Sequence, residues 1–276
     1  MDMVDISRIT ASIWPWGTET REQMEQAAKE VSEIGYKHFE SVKSAIYAFD
    51  MDLEAYREVL KRYDLTPVSF YFHLPNMDEM DAFFATLDKE FDFIANLGVE
   101  RLSLQPTRIR PEVMDEPKLA AQLEAIMKFA ETSQKYGMTT NLHPHNNTWV
   151  LHEDEIDYMM KNSDPKVLSL VPDTAHLVVG LCDPVEIVRK YVDRINFTHF
   201  KDIVGKEAES GGLASAGMEL YLNFRELGKG CIDFKTIFNI LKEHGYDGPL
   251  CEELDRAPIS NAISAKNNFE YLKNNY

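Results

Sequence analysis

The sequence predicts an α/β protein, a single-domain (β/α)8 TIM barrel over residues 1–276. Three observations predict it. A short β-like run, a turn and an amphipathic helix recur eight times, and eight such units favour a closed parallel barrel over an open doubly wound sheet. No composition break or Pro/Gly/Ser linker divides the 276 residues, a length within the range of one such barrel. Neither a GxGxxG nor a GxxxxGK(S/T) phosphate turn occurs, which an open nucleotide-binding sheet would usually carry.

The units read in order as follows. ISRITASIW (6–14) precedes a helix over 20–34, and YKHFESV (36–42) one over 52–63. TPVSFYFHL (66–74) leads to a long helix over 77–97, and ERLSLQPT (100–107) to one over 116–136. MTTNLHPH (138–145) is followed by a helix over 153–162, and KVLSLVPD (166–173) by one over 183–191. RINFTHFKD (194–202) opens a long polar loop before a helix over 233–244, and GPLCEELD (248–255) precedes a last helix over 259–273. Several helices stop at glycine (SEIGY, ANLGV, QKYGM, EHGYDG), the residue that accepts a left-handed C′ position. The loop 203–230 is long and carries Gly and Ser, so it is a candidate substrate lid.

Composition narrows the function. A net charge of −17 argues against a phosphate-backbone footprint, so no nucleic-acid partner is expected. Three widely spaced cysteines with no CxxC pair fit a reducing cytoplasm. No apolar run approaches the roughly 20 residues of a membrane span, and MDMVDIS is acidic rather than a signal peptide. A cytoplasmic protein acting on a small molecule, with no membrane partner, is the expectation.

In such a barrel the chemistry lies at the C-terminal strand ends. Those ends read Trp14 and Trp16, Glu40, His73, Gln105, His143 and His145, Asp173 with His176, His199 with Lys201, and Glu253 with Asp255. Each has a plain alternative. Asp173 reads as a ligand or as a helix cap, His143 and His145 as ligands or as paired core histidines on one strand face. Glu253 reads as a ligand or as half of a salt bridge. Together, His, Asp, His and Glu from successive strands suit one divalent ion, with Mn²⁺, Co²⁺, Mg²⁺ or Zn²⁺ all compatible with N/O donors. The metal set is His143, Asp173, His199 and Glu253, with His145 an alternative to His143.

The order DTAHL, THFKD, GKGCIDF and EELD on eight units resembles the xylose-isomerase-like barrel superfamily, over essentially the whole chain and most clearly from residue 138 onward. That group holds sugar isomerases and epimerases, inosose (keto-inositol) dehydratases and the endonuclease IV branch. The resemblance places the family's ligands on Asp173, His199 and Glu253, and the histidine of its D-x-G-H motif on His176, with Ala175 replacing the glycine. Where epimerases place a fifth-strand Glu, NLHPHNNT puts His143. A subset that includes inosose-dehydratase-like members similarly has H-x-H there. Asn223 and Arg225 stand where endonuclease IV needs extra zinc ligands, so DNA repair is not implied.

The activity the resemblance implies is a metal-dependent sugar isomerase or epimerase working through an enediolate. The alternative is an inosose dehydratase-type lyase sharing that chemistry, and an inert sugar-binding barrel comes after both. Glu253 is the expected base, His176 a proton carrier, and Lys201 an electrostatic holder of the oxyanion. Glu40 reads as a second base, a hydroxyl-recognition group or a surface residue. Trp14 and Trp16 read as an apolar wall for the sugar or as packing, and His73, Gln105, His145 and Arg225 as substrate contacts, Arg225 toward a phosphate or carboxylate. A homo-oligomer is expected by analogy with related barrels.

Overall fold

A computed structural model describes residues 5–204 and 221–276. Eight strands form one parallel sheet: β1 (Ile9–Ser12), β2 (His38–Val42), β3 (Thr66–His73), β4 (Arg101–Gln105), β5 (Thr139–Leu142), β6 (Leu168–Leu170), β7 (His199–Phe200) and β8 (Leu250–Glu252), in the order β6-β5-β4-β3-β2-β1-β8-β7. The end strands β6 and β7 meet through two isolated parallel bridges, Leu170 with Ile195 and Asp173 with His199, which bring the sheet round on itself. Surrounding helices complete the predicted barrel.

Local sequence explains the elements. Helix α1 (Arg21–Ile34) starts at a capping box, in which the Thr20 hydroxyl accepts from the Gln23 N–H and the Gln23 side chain accepts from the Thr20 N–H. It buries Met24, Ala27, Ala28 and Val31, the spacing of one helical face. Along β3, Phe70, Phe72 and Leu74 join the hydrophobic shell under the helices, while the alternating Ser69, Tyr71 and His73 belong to the opposite face. That inner face is polar: Ser69 lies 3.5 Å from Ser103 across the β3–β4 pair, and Tyr71 bonds Gln105 at 2.8 Å. Outside, the helix Phe234–Glu243 sets Phe238 against Phe200 with ring centroids 5.3 Å apart, and burying each phenylalanine stabilises by roughly 2–3 kcal/mol.

The structure departs from the predicted boundaries in four places. Two short helices follow strands directly, Lys43–Ala48 after β2 and Thr174–Val179 after β6. The helix expected over 77–97 is a 3-10 turn, Met77–Glu79, leading into α-helix Met80–Ala95. Strand β5 stops at Leu142, so His143 and His145 stand beyond the strand rather than on its face. The loop after β7 begins and ends in a two-residue antiparallel pair, Asp202–Ile203 with Phe224–Arg225. The candidate lid falls largely on 205–220, outside the described residues. Its return is anchored by the Asp202 carboxylate, which accepts from the N–H groups of Gly230 and Ile232. A Cβ at Gly230 would lie 2.3 Å from that carboxylate, so only glycine fits there. Among the described residues, no helix is long and apolar enough to cross a membrane.

Candidate active site

The structure gathers His143, Asp173, His199 and Glu253 from four successive strand ends, with one donor atom from each within 4.8 Å of the others. All four are buried. Asp173 is both cap and cluster member. Its Oδ1 accepts the Ala175 and His176 N–H groups at 3.1 and 3.0 Å, and its Oδ2 lies 3.6 Å from His143 Nε2. Reading the residue as either cap or ligand therefore offered too few options, because each oxygen has its own task.

His199 is oriented from behind. Its Nε2 bonds the Glu40 carboxylate, which also accepts from Ser69 at 2.7 Å, leaving Nδ1 directed to Glu253, 3.8 Å away. A carboxylate behind a histidine fixes its tautomer and ring plane. Glu40 is thus neither a surface residue nor a substrate contact: it is fully buried and does not line the cavity. Neither ring nitrogen of His143 has a hydrogen-bond partner, and burial, then the neighbouring His199, holds it well below the usual histidine range. The imidazole is neutral, with a free lone pair.

Lys201 is fully buried, its ammonium 3.1 Å from Asp173, 2.7 Å from Glu253 and 2.5 Å from Asp255. Burial alone would lower its pKa, but Asp173, Asp255 and Glu253 outweigh burial and keep it charged. It positions these carboxylates and does not itself line the cavity. One ammonium faces three carboxylates, while His143 Nδ1 and Nε2 and His199 Nδ1 lack hydrogen bonds. Unbonded buried donors and acceptors are costly. A mixed nitrogen and oxygen set with excess negative charge fits a divalent cation.

Beside the cluster stand His145, His176 and Asp255. His145 Nδ1 is 2.8 Å from the Asn146 carbonyl, which takes the Nδ1 proton, and its Nε2 lies 3.9 Å from Asp255 Oδ1. His176 lies behind it, ring centroids 3.6 Å apart, accepting the Asn146 N–H on Nδ1. Burial first, then His145 and Lys201, pushes His176 down to about 3. It is neutral and does not line the cavity.

Above lies a cavity of about 610 Å³ whose walls include Trp14, Tyr71, His73, Gln105, His145 and Glu253. Trp14 donates its indole N–H to Glu253 at 3.3 Å. Trp16 does not share this wall: its indole bonds Glu30 on α1, and it packs against the core. Arg225 is also absent from the described lining, its guanidinium bonded to the carbonyls of Leu222 and Phe224. Sequence reading missed Tyr71, Lys43 and Arg108, which do line the cavity. The period-two alternation Ser69, Tyr71, His73 was a signal for the first; nothing comparable marks Arg108.

Comparison with known proteins agrees with this geometry. The family described as xylose isomerase-like TIM barrel matches residues 28–275. An inosose dehydratase from Halalkalibacterium halodurans is 33% identical over 138 residues, 49% of this chain and 46% of the relative. The match thus spans about half the length of each. A xylose isomerase-like TIM barrel protein from Mycobacterium smegmatis in complex with magnesium superposes with a TM-score of 0.76 at 18% identity, over 96% of this chain and 95% of that one. The IOLI protein with a bound zinc atom gives a TM-score of 0.77 at 15% identity, over 95% of each chain. At these identities the solved structures speak for the fold alone.

Proposed function

Because the chain belongs to the xylose isomerase-like TIM barrel family, we propose that it is a metal-dependent lyase that dehydrates a keto-polyol or cyclitol. The observation that carries this is the buried set His143, Asp173, His199 and Glu253, with one donor atom from each within 4.8 Å of the others, of which Glu253 reaches the cavity wall. These four would hold the ion, which when bound supplies Lewis-acid polarisation of a substrate carbonyl. The dehydratase name of the relative supports elimination over the isomerase or epimerase reaction expected first. The histidine at the fifth strand end supports it too, since two-sided epimerisation calls for a base on each face.

The chain's own groups then have separate tasks. His145, which lines the cavity, takes the proton from the carbon beside the carbonyl on its Nε2. Asp255, 3.9 Å away, stabilises the resulting imidazolium and orients it for return of that proton to the departing hydroxyl. Glu253 was the expected base. Its Oε2 is 2.7 Å from the Lys201 ammonium and its Oε1 accepts from Trp14, so its place is in the cluster. Trp14 and Tyr71, 5.2 Å apart, wall off the C–H face of the ring.

The test is turnover of 2-keto-myo-inositol with Mn²⁺ in deuterated water, followed by mass spectrometry. Loss of one water supports the lyase. Deuterium incorporation without water loss returns the isomerase or epimerase reading, and no change of any kind sinks both.

A further inference from the structure

The cavity carries both signs of charge: its walls include the acids Glu253 and Asp255 and the cations Lys43 and Arg108. Lys43 is fixed from below, 3.0 Å from the fully buried Glu90 and 4.7 Å over the Phe83 ring. Arg108 differs. Its guanidinium lies 3.2 Å from His73 Nδ1, and among the described residues no carboxylate pairs with it. It therefore reaches the cavity as a guanidinium that no acid neutralises.

The backbone beside it is strained. Ile109 has φ 62°, a left-handed conformation disfavoured for a β-branched residue, and its side chain is exposed, so no burial offsets the strain. The turn is held in place by its surroundings. Arg108 bridges Thr148, the Trp149 N–H bonds the Thr107 carbonyl at 3.0 Å, and Arg110 forks onto the buried Glu155. What this strained turn achieves is to carry the Arg108 side chain onto the cavity wall.

The geometry points to an anion subsite: Arg108, on the wall of a cavity that Lys43 also lines, holds a carboxylate or phosphate on the substrate at the end away from the reacting carbonyl. A guanidinium fork matches both groups in two parallel hydrogen bonds. Of the other cavity carboxylates, Glu19 accepts the Thr18 N–H at 2.9 Å. This assignment rests on the keto-polyol reading and narrows it to acidic or phosphorylated members.

Isothermal titration calorimetry tests it, using the full chain in EDTA-stripped and Mn²⁺-loaded forms. The probes are D-fructose, D-fructose 6-phosphate and 5-keto-D-gluconate. The expected result is that at least one anionic probe binds about tenfold or more tighter than fructose in both forms. Arg108→Gln cuts that preference to under about twofold, and Arg108→Lys retains part of it. Which anion is preferred distinguishes phosphate from carboxylate. Equal or undetectable binding of all three probes, or a preference that survives Arg108→Gln, overturns the subsite. Failure of the parent reading shows separately, as absence of Mn²⁺ uptake in equilibrium dialysis, because the anion preference is read in stripped protein.

Discussion

The two halves of the barrel mouth are built on opposite plans. Strand ends β5 to β8 supply His143, Asp173, His199 and Glu253, all buried, and both histidines offer ring nitrogens that lack hydrogen bonds. Ends β1 to β4 supply Trp14, Tyr71, His73 and Gln105, with Arg108 beyond, and here Tyr71 and Gln105 satisfy each other. A desolvated and unsatisfied half is costly unless a charge arrives to complete it. A satisfied, aromatic and cationic half needs nothing to be stable and can be shaped for recognition. Chemistry and selection are therefore separable by mutation.

The largest expected effect is in the first half. Asp173→Asn should abolish stoichiometric Mn²⁺ uptake and lower turnover at least about a thousandfold, read by equilibrium dialysis and a turnover assay. Full Mn²⁺ content in the variant would remove the contrast between the halves. His145→Gln should keep the metal yet lose about 10²–10⁴-fold in kcat; a loss of metal alongside would move His145 into the cluster. Glu40→Gln should weaken metal affinity about 10–100-fold through His199, and unchanged affinity would show that His199 needs no support. Tyr71→Phe should raise KM a few-fold with kcat nearly constant, because it removes one hydrogen bond of about 1 kcal/mol on the recognition side.

The smallest effect lies in neither half and serves as a control. Burial alone would raise the Asp157 carboxyl, but bonds from Lys161, Lys190 and Tyr191 outweigh it and hold it at about 2, below its ordinary 3.8. A depressed carboxylate stabilises the fold above its unfolded pKa and loses that contribution as pH falls toward 2. Asp157→Asn should cost under about 1 kcal/mol at neutral pH, since the pair is largely solvent-screened, and nothing near pH 2. Denaturant melts at both pH values check the sign.

The metal-cluster half was legible in the sequence because its members close successive strands inside short words such as DTAH and THFKD. The link from Glu40 to His199 was not, since its partners lie 159 residues apart and only barrel closure joins them. Trp14 and Trp16 looked equivalent, yet they sit in a 3-10 turn. At three residues per turn, side chains two apart diverge, one to the cavity and one to α1. Arg108 was invisible for another reason: its placement follows from a backbone turn at Ile109 that no local preference predicts.

The meeting of β6 and β7 carries one further consequence. That edge has only two isolated bridges, and one of them pairs Asp173 with His199. An ion held by those two side chains would rivet the thinnest seam of the barrel from the inside. Amide exchange at the seam would then report on occupancy, with the strands parting there first in stripped protein, so that chelation loosens the architecture as well as the chemistry.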